Sequence, residues 1–397
     1  MTLEMAPPPS VRPTPWNWAR KNLFSTWYNV ILSVVFLLVI FQAISSFLVW
    51  ATTQAKWAVV SDNLRLYFAG RFPADSVWRL WLILAIITFL GGLTWGNLQM
   101  QSRPWSRPVL IGFAIAVALV LISPIGLNAR LILCGQIALV AVGYWVGRQL
   151  DIKFSRWLPL LWVISIPVVF WLLKGGLGLE NLQTSVWSGL VLTLLTAVLS
   201  ISLSFPLGVL LALGRQSPLP VVRLLSTLYI EIVRGVPLIS ILFLGMVMLP
   251  FFLPPELSQV DRVPRAIIAL TLFSAAYIAE DVRGGLQSVP RGQGEAARSL
   301  GLSAPLVVLL IVLPQAIRAV IPALVGTFLG LFKDTSLLSI FGFLDLFGIS
   351  KTILANPAYI GRSNEAYPFI GLIYWVFCYA MSSVGQRLEA SMNVGQR

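Results

Sequence analysis

The chain has 397 residues, 57% of them hydrophobic and only 11% charged, with a mean hydropathy of +0.85. Soluble domains carry about 25% charged residues, so this composition excludes a single water-surrounded core and makes the bilayer the solvent. The net charge of +13 is scattered through short connectors and not gathered on a basic face, which argues against nucleic-acid binding. With no histidine in the chain, imidazole catalysis and histidine-containing metal sites are excluded. Cys134 and Cys378 lie in apolar runs without a CxxC pair and read as small hydrophobic packing residues.

Residues 1–26 begin with Pro7, Pro8, Pro9, Pro13 and Pro15, a composition expected of a disordered tail. Crossing a bilayer takes about 20 apolar residues in a helix. Such runs fall at 27–50, 79–98, 108–125, 131–147 and 157–173, then at 186–213, 224–253, 265–282, 313–332 and 367–386. The expected fold is therefore an all-α, polytopic bundle of about ten transmembrane helices. A loop at Gly175, Gly176 and Gly178 separates an N-terminal extension (27–180) from a second half (181–397), with no repeat visible between them.

Alternating the connectors across the membrane tests the orientation. If the N-terminus is cytoplasmic, that side collects Arg20, Lys21, Arg103, Arg107, Arg148, Lys153, Arg156, Arg215, Arg223, Arg291 and Arg298. Asp151 and Glu295 are among its few acids. Both termini are thus expected inside. Trp78, Trp81, Trp95, Trp105, Trp157, Trp162 and Trp187 cluster near span ends, where amphipathic rings favour the headgroup layer.

Ionisable groups inside a membrane face a partner or an aqueous cavity. Glu231 and Arg234, three residues apart, share a helix face and are able to pair. Gly235 and Pro237 are expected to break that helix, forming either a hinge or a lining of the transport path. Glu280 and Arg283 repeat the three-residue spacing. Lys333, Asp334, Thr335 and Ser336 stand where an apolar span ends, suited either to anchoring that helix or to lining a path for a zwitterion. Pro314 and Pro322 are expected to bend their helix, while Gly326 and Gly330 permit close packing, inside the chain or against a second copy.

The longest polar interruption of the second half runs from Arg283 to Ser303. Pro290 and Gly292 end the preceding span, and 293–300 favours a short helix. Gly301 suits a left-handed terminator, and Ser303 with Pro305 suits the start of another helix. The result is an ordinary interfacial turn or a projecting stub with small residues at Ala296 and Ala297.

Glu295-Ala296-Ala297, Gly301, then Ile311-Val312-Leu313-Pro314 resembles the EAA motif of ABC importer permeases. Three further stretches resemble the polar amino-acid importer family: Glu231-Ile-Val-Arg234-Gly235-Val-Pro237, Ala276-Tyr277-Ile-Ala-Glu280-Asp281-Val-Arg283-Gly284-Gly285 and Lys333-Asp334-Thr335-Ser336-Leu337. Asp281 departs from the family, which often has an uncharged residue there. Asn63-Leu-Arg-Leu and Gly70-Arg-Phe-Pro-Ala-Asp-Ser-Val-Trp-Arg79 resemble the longer members, the general L-amino-acid permeases.

The resemblance implies a type I ABC importer permease core with an N-terminal helical extension, in a bacterial plasma (inner) membrane. Loop 291–303 would dock on a separate ATPase, with Glu295, Ala296, Ala297 and Gly301 at the contact. It implies no enzyme activity and no cofactor on this chain; ATP and Mg would sit on two partner ATPase subunits. A second permease subunit, different or identical, and a periplasmic or lipid-anchored amino-acid-binding protein would complete the importer. The absence of any Gly-Lys dipeptide rules out a P-loop here. The rival reading is a secondary transporter driven by an ion gradient.

Overall fold

The computed structural model describes residues 14–98, 107–123, 125–150, 156–252, 254 and 260–392. The proline-rich start before residue 14, and Arg103, Trp105, Asp151 and Lys153, lie outside these. Contacts divide the chain into two compact units, Met1–Trp57 and Ala58–Arg397.

In the first unit the expected tail contains a helix, α1 (Pro15–Asn22). Thr14 caps it by accepting from the Asn17 amide at 3.4 Å, Pro15 occupies the first turn, and Arg20 and Lys21 meet its negative end, which together start and finish a helix locally. Helix α2 (Trp27–Val49) is strongly apolar and buries no residue. A widened turn, Trp50–Gln54, continues it.

The second unit opens with two short helices, α3 (Ala58–Ser61) and α4 (Leu64–Ala69). Long apolar helices follow: α5 (Val77–Leu98), α6 (Arg107–Ile122), α7 (Leu127–Gln149), α8 (Leu158–Lys174) and α9 (Gly189–Arg215). Then come α10 (Pro220–Gly235) and α11 (Leu238–Phe243), which runs on to Phe252, and α12 (Arg262–Ser288). The chain finishes with α13 (Arg291–Ser299), α14 (Leu313–Asp334), α15 (Leu346–Leu354) and α16 (Ser363–Met392). Among the described residues, seven helical runs are long and apolar enough to span a bilayer; the bent pair Pro220–Gly235 and Leu238–Phe252 adds one, and Val109–Ile122 and Leu158–Lys174 are shorter apolar helices. Together they occupy the ten expected stretches. The run containing 313–332 extends further, over Ala304–Phe341. Pro314 follows closely on a widened helical stretch, Val307–Val312, within that continuous run, while Pro322 lies within α14.

Close packing comes from small residues. Gly92 and Gly96 of α5 lie against the backbone of Val140 and Tyr144, and Gly143 and Gly147 of α7 against Phe89 and Leu93. Reciprocal glycines let two helices touch backbone to backbone where lipid gives no hydrophobic drive. Gln136, buried between them, accepts from Thr88 at 2.9 Å and donates to the Trp81 carbonyl at 3.2 Å.

A polar contact ties the extension to the second half: the Arg71 amide donates to Ser188 Oγ at 2.6 Å. Within the extension, the buried Arg79 guanidinium donates to the Glu180 carbonyl at 2.9 Å. Val59, Val60 and Tyr67 share a hydrophobic cluster with Leu190, Leu346 and Ile349. A second cluster, with Ala212, Ile230, Ile278, Ala279, Ala316 and Leu324, joins α9, α10, α12 and α14 and positions the charged groups described next.

Candidate coupling and translocation site

The helix expected over 224–253 breaks where Gly235 and Pro237 predict. Val236 is extended (φ −109°, ψ 135°), as the residue before a proline prefers, and the chain turns by 107° into α11. This elbow swings the end of α10 beside α12.

Glu231 and Arg234 share a face but do not pair with each other. Glu231 instead meets Arg215 at the end of α9, at 2.7 Å. Arg234 lies 3.4 Å from Glu280 and over the Tyr277 ring, 5.7 Å from its centroid. Glu280 also accepts from Arg283, through Nε at 2.9 Å and through Nη2, and from Arg215 at 3.4 Å. One carboxylate thus gathers three guanidiniums. Pairing with α9 and α12 wins because the elbow brings opposite charges together across helices, which spacing along one helix does not reveal. Arg215 therefore belongs to the cluster although its own surroundings in the sequence mark it only as a connector base.

Asp281, the neighbour of Glu280, faces a different helix. Its Oδ2 accepts from Thr327 Oγ1 of α14 at 2.7 Å. Among the described residues no Lys or Arg forms an ion pair with it.

The loop helix α13 forms over Arg291–Ser299, with Pro290 at its N-cap position. It ends as the motif predicts. Gly301 takes φ +81°, its amide donates to the Arg298 carbonyl at 2.9 Å, and the Leu302 amide donates to Ala297 at 3.3 Å. These two bonds form a Schellman cap. Ser303 starts the next helix by position, without a side-chain bond, and Pro305 follows in its first turn.

The small-residue face is not Ala296 with Ala297. Ala297 and Gly294 are buried, and a Cβ at Gly294 would stand 3.8 Å from Val307, because residues three apart share a face and these two seat α13 on its own chain. Glu295, Ala296 and Leu300 point outward, Leu300 being 83% exposed.

Lys333, Asp334, Thr335 and Ser336 are not part of the arginine cluster. They stand at the end of α14 remote from α13, with Lys333 exposed and Asp334 and Ser336 half-buried. Thr335 is buried and donates to the Phe332 carbonyl at 2.7 Å, easing the change from α-helix to the tighter turn Thr335–Phe341. Beyond it, the fully buried Asp345 caps α15, accepting from the amides of Phe347 and Gly348 at 3.2 and 3.1 Å. Burial pushes its carboxyl up to about 7. Nothing in the residues around Asp345 distinguishes this cap from an exposed one.

The profile of the family "Binding-protein-dependent transport system inner membrane component" matches residues 204–394. The inner membrane amino-acid ABC transporter permease protein YhdY of Escherichia coli K12 is 39% identical over 96% of this chain and 93% of its own length. The glutamate/glutamine/aspartate/asparagine transport system permease protein BztC of Rhodobacter capsulatus is 35% identical over 96% of this chain and 94% of its own. A shorter protein, the probable glutamine ABC transporter permease GlnP of Bacillus subtilis 168, is 35% identical over 51% of this chain and 91% of its own.

Proposed function

The chain belongs to the amino-acid ABC transporter permeases, and on that premise we propose that α13 is its coupling helix and that the arginine cluster around Glu280 joins that helix to the gate. It is a membrane-spanning permease subunit of an amino-acid ABC importer, a transport subunit and not an enzyme. This relationship sets aside a secondary transporter driven by an ion gradient.

The observation that carries the coupling role is the geometry of α13. A nine-residue helix is too short to persist alone, yet this one is stopped by a left-handed glycine and seated through Gly294 and Ala297. It presents Glu295, Ala296 and Leu300 to whatever lies beyond the chain. A rigid stub of this kind transmits a push. Two partner ATPases, carrying ATP and Mg, would grip these stubs, and closing them would move α13 and, through the adjoining turn, α14.

Motion then reaches the elbow. Arg283, two residues beyond the Asp281 that bonds α14, is locked to Glu280, and Glu280 holds Arg234 beside the break at Pro237. The cluster and the break supply the cytoplasmic gate of an alternating-access path, and Lys333 to Ser336 line or anchor its other end. The substrates are polar L-amino acids, delivered by a periplasmic or lipid-anchored binding protein, with a second permease subunit completing the channel. The termini lie in the cytoplasm. Residues 181–397 form the permease core, as the half-length relatives support, and 27–180 form an extension.

The test is uptake into liposomes containing the complete importer. Uptake that requires enclosed ATP and external binding protein is expected. Uptake by this chain alone on a proton or sodium gradient would overturn the proposal.

A further inference from the structure

In the coupling scheme Asp281 serves only as a bond to α14, and its surroundings point to a further role. It lies seven residues before the end of α12, about 10 Å along the helix axis, inside a run long and apolar enough to span the bilayer. A carboxylate at that depth is costly unless it meets a cation or water. Its bond from Thr327 is from a neutral hydroxyl. Arg234, the nearby cation, is held by Glu280 and the Tyr277 ring.

The surface around Asp281 is unlike a lipid-facing one. Elsewhere the exposed sides of the helices carry large apolar residues, such as Leu224, Leu228 and Ile232 on α10 and Leu372, Trp375 and Val376 on α16. On α14 the exposed side beside Thr327 is Ala319, Pro322, Ala323 and Gly326, and on α12 Asp281 lies between Tyr277 one turn before and Gly284 one turn after. A Cβ at Gly284, Gly326 or Gly330 would meet nothing of this chain within 4 Å. The half-buried carboxylate therefore stands at the edge of an exposed surface of mostly small residues, where a solute can approach it.

We propose that Asp281 is a charge-selecting residue on the translocation path, receiving the cationic group of a passing amino acid and favouring lysine-like and neutral substrates over acidic ones. Thr327 is its positioning residue, fixing one carboxylate oxygen and leaving the other for the solute. The proposal rests on the transport reading above.

Uptake of radiolabelled lysine, glutamine and glutamate is measured in liposomes with the complete importer and the same binding protein throughout. Asp281→Asn keeps the size and the acceptor for Thr327 but removes the charge. The lysine-to-glutamate ratio of kcat/KM should fall by about tenfold, since one full charge is lost at contact distance, and Asp281→Glu should retain the wild-type ratio. Gly284→Lys, which leaves Asp281 in place and sets a cation one turn away, should lower the ratio in the same direction; it carries the test if Asp281→Asn does not assemble. A wild-type ratio in both charge-altering variants overturns the inference while leaving the transport reading intact. Absence of ATP-driven uptake by the wild-type importer overturns both.

Discussion

Replacing Gly301 by valine tests whether α13 works as a rigid stub. Gly301 sits at φ +81°, a conformation that costs a non-glycine residue about 1–2 kcal/mol and is a true outlier for a β-branched one. Because a Cβ there would meet nothing within 4 Å, the penalty is conformational and adds no clash within the chain. If the backbone relaxes to avoid it, the bonds from the Gly301 and Leu302 amides to Arg298 and Ala297 are lost, at about 1 kcal/mol each. Either route costs about 1–2 kcal/mol, which reduces the population of the capped helix roughly 5- to 30-fold relative to its frayed form. The transmembrane spans are untouched, so the variant should insert normally. Uptake and binding-protein-stimulated ATP hydrolysis by the purified complex should fall in the order Gly, Asn, Ala, Val, with asparagine close to wild type because it tolerates the left-handed region. Full coupling by Gly301→Val, in a complex shown to contain the ATPase, would refute the reasoning.

Three other outcomes follow. Glu280→Gln removes the carboxylate shared by Arg215, Arg234 and Arg283; with side chains 22–35% exposed, solvent screening limits the loss to about 1–2 kcal/mol, read as a lower thermal midpoint in detergent that salt partly restores. Gly96→Val would push α5 from the Tyr144 backbone and cost about 1–3 kcal/mol, again as a lower midpoint; an unchanged midpoint would contradict the close packing. Asp345 has a folded pKa of about 7 against 3.8 for the free group. It binds its proton more tightly when folded, so its contribution to stability is full below pH about 4 and is lost as pH rises through about 7. The midpoint should fall over that range, and Asp345→Asn, which keeps one capping acceptor, should flatten the fall.

Much of the fold was legible because lipid forces apolar runs into helices, and the break at Pro237 and the stop at Gly301 were legible because each depends on backbone chemistry within a few residues. Partners across helices were not. Glu231 chose Arg215 over Arg234, and Asp281 found Thr327, through contacts 16 and 46 residues away in sequence. The burial of Ala297 was missed for a similar reason: adjacency in Glu295-Ala296-Ala297 suggests one face, whereas the helix turns Ala296 outward and Ala297 inward. The glycine pairs of α5 and α7 carried a readable signal, a four-residue spacing in each helix, but their facing each other emerges only in the packed structure.

The central claim is that this chain transmits the work of a separate ATPase through α13. A mild-detergent pull-down of the tagged chain, comparing wild type with a variant altered at Glu295 and Gly301, tests it most directly. Recovery of an ABC-type ATPase with the wild-type chain, and its loss with the variant while the other permease subunit still co-purifies, is the predicted result. An ATPase recovered equally with both, or a wild-type chain that purifies alone and transports amino acids without ATP, would contradict the account.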